Sequence, residues 1–148
     1  MLKHLAYPLS LLLALGVHAP TSRMGYDVHI TRAEDWTESH AHPITLDEWK
    51  AYIRSDAEMR LDNRAEAKTT SGETIAIESP GLAVWVRWKK DGVEGGHAWF
   101  SYDDGAITVK DPDRDLLRKM FKIAVALKAR VQGDEWEIYD KNGEGHQP

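Results

Sequence analysis

The sequence predicts an α+β fold, in which one antiparallel β-sheet with the element order β-α-β-β-β-β-α-β has two helices packed on one face. Two segments, 46–53 and 112–131, have apolar residues at helical spacing. The turn signal Asp103-Asp104-Gly105 joins two strand-like runs, as in a β-hairpin. The third observation is a set of short strand-like runs at 26–31, 73–79, 82–89, 97–102, 106–109 and 136–139.

The first strand and the first helix have clear local signals. Apolar residues at 26, 28 and 30 alternate with polar ones, which is the period of a half-buried strand. Thr45 and Glu48 form a capping box, in which both side chains satisfy free N–H groups at a helix start. The predicted helix loosens around Ser55-Asp56, and its apolar face comprises Leu46, Trp49, Tyr52 and Ile53.

The middle of the chain predicts a four-stranded antiparallel meander. Residues 62–72 are polar and turn-like, and the strand at 73–79 places Ile75 and Ile77 on one side. A Ser79-Pro80-Gly81 turn leads to the next strand. We therefore expect the strands at 73–79, 82–89, 97–102 and 106–109 to pair in sequence order.

The second helix is predicted to begin at Asp111-Pro112, with Asp111 as the cap and Pro112 at the first helical position. Lys128 and Arg130 suit its last turn, and Gly133 is its expected stop. Residues 141–148 are expected to form a flexible tail. The apolar stripe of this helix comprises Leu116, Met120, Ile123, Ala124, Leu127 and Val131.

Composition excludes several classes of function. The 148 residues include 19 Lys and Arg against 24 Asp and Glu, for a formal net charge of −5. Such a balance argues against a general nucleic-acid binder, which normally has a basic surplus or patch. The chain has no cysteine, so disulfides, thiolate metal sites and cysteine nucleophiles are excluded. Hydrophobic residues make up 42% of the chain, enough for a packed core.

The first 23 residues differ from the remainder and have two interpretations. Lys3 and His4 precede an apolar run at 5–17 of signal-peptide length, but Pro20 would follow the cleavage site after Ala19. Alternatively, translation begins at Met24, which we favour because a strand begins immediately after it. We therefore divide the chain into this extension (1–23), one α+β domain (24–140) and a tail (141–148). A start at Met24 predicts a cytoplasmic protein, whereas a signal peptide at 1–19 predicts a periplasmic one.

No catalytic motif is recognised in the sequence. His40 and His42 are close on a loop, but no third ligand stands at a zinc-site spacing. The paired acids have ordinary roles as helix caps, turns or solvated faces, and Ser79 and Ser101 lack the nucleophile-elbow pattern. We predict that the chain is not an enzyme and needs no metal or cofactor. The alternative is a small hydrolase or metal-dependent enzyme that uses the His40/His42 loop.

Two tryptophans of the predicted hairpin 82–102 form a candidate docking patch. If its polar tip lies at 90–94, Trp85 opposes Trp99 and Arg87 opposes His97, on the face away from the helices. Tryptophan is enriched at binding hot spots, although such a pair also serves merely to shield an open sheet face. Trp88 is expected on the core side. Glu34, Asp35 and Trp36, on a neighbouring loop, complete the candidate partner-binding residues.

Four segments between residues 24 and 140 carry a family resemblance. The chain has Y-D-x-x-I-T-R-A-x-x-W at 26–36, P-I-T-L-x-E-W at 43–49, V-K-[DN]-P-[DE] at 109–113 and A-R-V-Q-G-D at 129–134. In these it resembles the immunity proteins of bacterial polymorphic-toxin and contact-dependent competition systems, which are small, acidic, aromatic-rich α+β domains made beside a toxin.

The resemblance implies a protein that neutralises a cognate toxin domain by occluding its active site. The expected partner is that toxin, with no nucleic acid and no stable membrane association of the mature domain. Complementary charge would speed the encounter, and buried aromatic residues would slow release. A housekeeping binding scaffold with no toxin is a further alternative.

Overall fold

The computed structural model describes residues 25–89 and 97–148, so the extension 1–23 and the predicted hairpin tip 90–94 lie outside the described residues. The helices are α1 (Leu46–Ser55) and α2 (Arg114–Ala126), with a 3₁₀ helix at Trp36–Ala41. The strands are β1 (Asp27–Thr31), β2 (Met59–Leu61), β3 (Arg64–Lys68), β4 (Thr74–Glu78), β5 (Ala83–Trp85), β6 (Ala98–Asp103), β7 (Ala106–Lys110), β8 (Arg130–Gly133), β9 (Ile138–Tyr139) and β10 (Gly145–His146).

Eight of these strands form one antiparallel sheet in the order β10-β9-β8-β1-β7-β6-β5-β2. Alternate residues of the central strands, among them Val28, Ile107 and Phe100, share one buried core with Trp49 of α1 and Met120 of α2. The α+β class and the antiparallel sheet are thus confirmed. No helix in the two described ranges is long and apolar enough to cross a bilayer.

Helix α1 follows its sequence signals closely. The Thr45 side chain accepts the Glu48 N–H while Glu48 accepts the Thr45 N–H, so the capping box is present. Trp49 is buried and its Nε1 donates to the Gly81 carbonyl at 2.7 Å. A side chain at Gly81, whose φ is +85°, would meet Tyr102 Cβ at 2.7 Å, so this turn requires glycine.

The predicted ends of α2 are wrong. Asp111 has a φ of +46° and still donates its N–H to the Tyr26 carbonyl, so the chain has not yet left the sheet at this point. The cap is Asp113, which accepts the Leu116 N–H at 2.8 Å. The helix stops at Ala126, Lys128 lies beyond it at a φ of +57°, and residues 130–133 form β8. Lys128 and Arg130 are therefore not in its last turn, and Gly133 is not its stop. The helix was predicted too long because Val131, which is buried in β8, continues the helical spacing of apolar residues.

The predicted four-stranded meander is also wrong in its first part. The polar segment 62–72 contains β3, and β4 pairs with β3 in a separate two-stranded sheet rather than with β5. Ile75 and Ile77 of β4 are consequently exposed, at 47% and 60% of their surface. Strands β5, β6 and β7 do pair in sequence order.

The predicted hairpin register is wrong by one residue. Val84 opposes Trp99 and Trp85 opposes Ala98, and a one-residue shift moves a side chain to the other face of a sheet. The prediction assumed a symmetric tip, whereas β5 ends at Trp85 and a long connection follows. Trp85 therefore lies on the helix side, where its Nε1 donates to Glu58 at 3.0 Å and Lys119 Nζ approaches its ring. Trp88 packs against the core, as predicted.

The predicted tail contains a strand. Backbone N–H groups of Asn142 and Glu144 donate to the Asp140 side chain and close a turn, after which β10 pairs with β9. Residues 145–146 therefore form the edge of the main sheet rather than a free end.

Candidate functional site on the open face of the sheet

The side of the main sheet opposite the two helices is the surface that we call the open face. Side chains alternate between the two sides of a strand, and register places its members across four neighbouring strands. Ala98, Phe100 and Tyr102 of β6 point to the core, so the alternate residues of this strand point away from it. The open face comprises Trp99, Ser101 and Asp103 of β6, Thr108 of β7, His29 and Thr31 of β1, and Gln132 of β8.

The 3₁₀ helix covers one half of the open face. The Trp36 ring stacks on the His29 ring with centroids 4.0 Å apart, and the Trp36 N–H donates to Gln132 Oε1 at 2.7 Å. Ser39 Oγ lies 2.7 Å from Thr31 Oγ1, and both residues are buried. These contacts leave the other half, around Trp99, exposed.

The loop residues predicted to assist binding lie beside this covered half. Asp35 caps the 3₁₀ helix and accepts hydrogen bonds from the Thr37 hydroxyl, the Thr37 N–H and Trp136 Nε1, which hold the pKa of Asp35 below its ordinary value. The Glu34 carbonyl accepts from Gln132 Nε2 at 3.1 Å while its side chain is exposed. Glu34, Asp35 and Trp36 are thus close to one another, as their sequence order requires, and to His29 and Trp136.

A hydrogen-bonded chain of three side chains crosses the open face. His29 Nε2 lies 2.8 Å from Asp134 Oδ1, and His29 Nδ1 lies 3.0 Å from Thr108 Oγ1. Because a carboxylate only accepts, Nε2 carries the proton, and in the neutral ring Nδ1 accepts from the Thr108 hydroxyl. Asp134 also accepts the Asp27 N–H at 2.8 Å. This order of acid, imidazole and hydroxyl is the one used to activate a nucleophile.

Sequence reasoning missed this chain. The sequence patterns place His29 on the first strand, before the His40/His42 loop, and give the paired acids, Asp134 among them, ordinary roles as caps, turns or solvated faces. The available signal was the polar side of two strands, on which His29 and Thr108 each occupy an alternate position. Asp134 follows β8 directly, so only the pairing of β8 with β1 brings its carboxylate to the histidine.

The predicted tryptophan patch is only partly assembled. His97 and Trp99 are neighbours, with ring centroids 5.9 Å apart, and 40% of the Trp99 surface is exposed. Trp85 lies on the opposite side of the sheet, and Arg87 is exposed in the turn after β5. An open groove of about 450 Å³, which we call the Trp99 groove, is lined by His97, Trp99, Arg60, Asp62, Arg64 and Glu66.

A smaller cavity of about 160 Å³ lies at the other end of the open face. We call it the His29 cavity; its walls include His29, Trp36, Ser39, Asp103, Asp104 and Thr108. Trp99 and Asp103 are four residues apart on β6, so about 13 Å separates the groove from the cavity along the strand. One protein partner of ordinary interface size would span both.

The histidines predicted to be solvated, His40 and His42, are both exposed, and His40 lies 4.0 Å from Glu38. In the described part of the chain, the ligand-type atoms that come within 4.8 Å of one another as a group belong to Asp140, Glu144 and His146. Here the hydrogen bond from His146, at 2.7 Å, is the main reason that the pKa of Asp140 falls to about 2. The Asp140 carboxylate accepts from His146 and from the Glu144 N–H, while the Glu144 carboxylate pairs with Arg114 at 3.4 Å.

Comparisons with protein-family models, curated proteins and solved structures find no match for this chain. The class of the molecule is therefore defined by its own architecture, an eight-stranded antiparallel sheet with two helices on one side and a partly open second side.

Proposed function

We propose that this protein is an immunity protein, which binds a cognate bacterial toxin domain through the open face and neutralises it by occluding its active site. The observation that carries the proposal is the exposed indole of Trp99, stacked with His97 on the half of the sheet that the 3₁₀ helix leaves uncovered. Exposed aromatic residues on a flat, rigid surface are typical anchors of protein interfaces.

The charge of the chain indicates the nature of the partner. The net charge is −5 over the full sequence, and −7 without residues 1–23, which contain two basic residues and no acid. Asp103 and Asp104 are exposed at one end of the open face, and Glu34 lies on the neighbouring loop. A basic toxin domain would be attracted to this face, and the attraction would raise the association rate.

The structure alters the patch that the sequence suggested. Trp85 packs on the helix side and is removed from the docking residues, while Trp99 and His97 stay. Because strands β6, β7 and β1 are held by antiparallel pairing on both sides, the anchor sits on a rigid element, which lowers the entropic cost of binding.

Neutralisation gives the direct test. A toxin-bearing gene adjacent to this one, where the genome has it, would encode the candidate partner. Its purified toxin domain is titrated with this protein while the toxin activity is recorded. We expect inhibition to be complete at one equivalent, and co-expression to protect cells. Residual activity at several equivalents would contradict occlusion, even if the two proteins bind.

A second candidate function, hydrolysis, is favoured by the Asp134–His29–Thr108 chain. In it Asp134 would orient His29, and His29 would take the Thr108 proton as the Thr108 oxygen attacks an ester carbonyl. The ester C–O bond would then break as the alcohol leaves with that proton, and water would hydrolyse the acyl group from Thr108. Incubation with a nitrophenyl acetate ester tests it, with Thr108→Val as the control. Hydrolysis faster than that of the variant supports this candidate. Equal rates would mean that the hydrogen bonds of Asp134, His29 and Thr108 only support the structure.

A further inference from the structure

We infer that the His29 cavity accepts the guanidinium group of an arginine side chain presented by the protein partner. The inference rests on the proposed function and names the chemistry of one contact within it. It is carried by the size of the cavity, the way its walls are held and the charge at its mouth.

The cavity is built between two rigid elements. Its floor is the open face at His29, whose ring is held at both nitrogens and stacked by Trp36. One wall is the 3₁₀ helix, and the other is the turn between β6 and β7. Gly105, at a φ of +93°, fixes that turn against the segment after the 3₁₀ helix, because its carbonyl accepts the Ile44 N–H at 3.0 Å. Any Cβ there would meet Ser39 O at 2.7 Å.

The charge of the cavity is negative and uncompensated. Asp103 and Asp104 both line it, and within residues 25–89 and 97–148 neither forms an ion pair. A guanidinium donates up to five hydrogen bonds, and its planar fork matches the two oxygens of a carboxylate, so Asp103 and Asp104 are the acceptors that it would have here. The hydroxyl of Thr37 and the indole of Trp36 supply the further polar and aromatic surface on which arginine packs.

The volume of the His29 cavity fits the end of one side chain better than a larger ligand. A cavity of about 160 Å³ is below the range of roughly 300–1,000 Å³ that drug-sized molecules and cofactors occupy. The space admits several waters, which a guanidinium with its last methylene groups would displace. The occupant we assign is therefore one arginine of the partner.

The test uses this protein with a small probe, N-acetylarginine amide, and its neutral analogue N-acetylcitrulline amide. Both are titrated into the ¹⁵N-labelled chain in the same buffer and at the same pH. The signals followed are the backbone amides of Thr37, Ser39 and Ala106. We expect saturable shifts with the arginine probe at a Kd of about 1–10 mM, and at least tenfold weaker binding of the citrulline probe.

Two variants test whether the carboxylates of Asp103 and Asp104 bind the arginine probe. Asp104 has a φ of +49°, a conformation that asparagine tolerates, so Asp104→Asn removes the charge without straining the turn. Asp111→Asn is the matched control, because Asp111 is also left-handed, at +46°, and does not line the cavity. We expect D103N/D104N to weaken the arginine probe at least tenfold and D111N to leave it unchanged.

Several outcomes would overturn the inference: equal binding of the two probes, unchanged binding to D103N/D104N, shifts confined to the Trp99 groove, or no saturable shift with arginine probe at up to about 50 mM. The proposed function fails separately. If the probe binds as expected but the toxin is not neutralised, the cavity stands without its partner. If the toxin is neutralised equally by wild type and D103N/D104N, the function stands without this contact.

Discussion

At the scale of single residues, His29 connects four parts of the chain. It lies on β1, contacts Thr108 on β7 and Asp134 after β8, and supports Trp36 of the 3₁₀ helix. A buried polar side chain is expensive unless its hydrogen bonds are made, and here both ring nitrogens have partners. His29 therefore helps to hold the 3₁₀ helix on the open face, together with Gln132 and Thr31.

Asp134→Asn tests that dependence. The two carboxylate oxygens accept from His29 and from the Asp27 N–H, whereas an amide has one oxygen and must present a donor to the other partner. We expect a loss of about 1–3 kcal/mol in the free energy of unfolding, measured by urea denaturation. The neighbouring exposed Glu135→Gln is the control, and equal losses in the two variants would contradict this role.

The lowered pKa of Glu48 leads us to expect that this residue contributes to the acid sensitivity of the fold. Hydrogen bonds from Arg32, and then from the Thr45 N–H, lower the pKa of Glu48 from 4.5 to about 2. A carboxylate with a lowered folded-state pKa stabilises the fold above its ordinary pKa, and this contribution is lost as the pH falls from 4.5 towards 2. Denaturation at pH 7 and pH 3 should show a smaller acid loss in Glu48→Gln than in wild type. An unchanged loss would be the contrary result, and exposed Glu73→Gln is the control.

At the scale of elements, local sequence signals correctly predicted structure that forms within one turn. They failed where contacts between distant strands set the boundary or the register of an element. The capping box of α1 was correct because Thr45 and Glu48 are three residues apart and interact within one turn. The start of α2 was missed because the backbone of Asp111 is fixed by Tyr26, which is distant in sequence. The register of β5 and β6 likewise depends on the long connection between them and on the pairing of β5 with β2.

Within the candidate site too, the sequence predicted contacts along one strand and missed those that depend on distant segments. Trp99 and His97 are two residues apart on one strand face, so their proximity follows from the period of a strand. The pairing of Trp85 with Trp99 needed a register, and the His29 cavity needed a contact between the 3₁₀ helix and the β6–β7 turn. Neither of these is encoded in local spacing.

Replacing each hairpin tryptophan tests the register. Trp85 packs against the core and donates to Glu58, so we expect Trp85→Ala to reduce the free energy of unfolding by about 2 kcal/mol or more. Trp99 is exposed, and Trp99→Ala should cost less than about 1 kcal/mol. Both are read from thermal or urea unfolding. Similar costs would indicate that the two indoles share one environment, as the symmetric hairpin had predicted.

The β3–β4 hairpin is an element that stands apart from the core. Ile77 on β4 is 60% exposed, whereas Ile107 on β7 is fully buried. We expect Ile107→Val to cost about 0.5–1.5 kcal/mol and Ile77→Val to leave the free energy of unfolding nearly unchanged, as measured by urea denaturation. A substantial cost at Ile77 would place β4 in the core after all.

At the scale of the whole molecule, the two sides of the main sheet have different roles. One side is buried under both helices and supplies the core, while the other is partly closed by the 3₁₀ helix and exposes the Trp99 side chain. An acidic chain with an aromatic anchor on its exposed side suits rapid, charge-steered encounter followed by slow release. Added salt should therefore slow association of the proposed partner more than it speeds dissociation.

The central claim is that the open face binds the toxin domain, and calorimetric affinity for the Trp99→Ala variant tests it most directly. Val125→Ala is the matched control, because Val125 is 61% exposed but belongs to α2 on the other side of the sheet. We predict that Trp99→Ala weakens toxin binding by about 2 kcal/mol or more while Val125→Ala leaves it unchanged. Equal affinities for wild type and Trp99→Ala, with normal melting temperatures, would contradict the account.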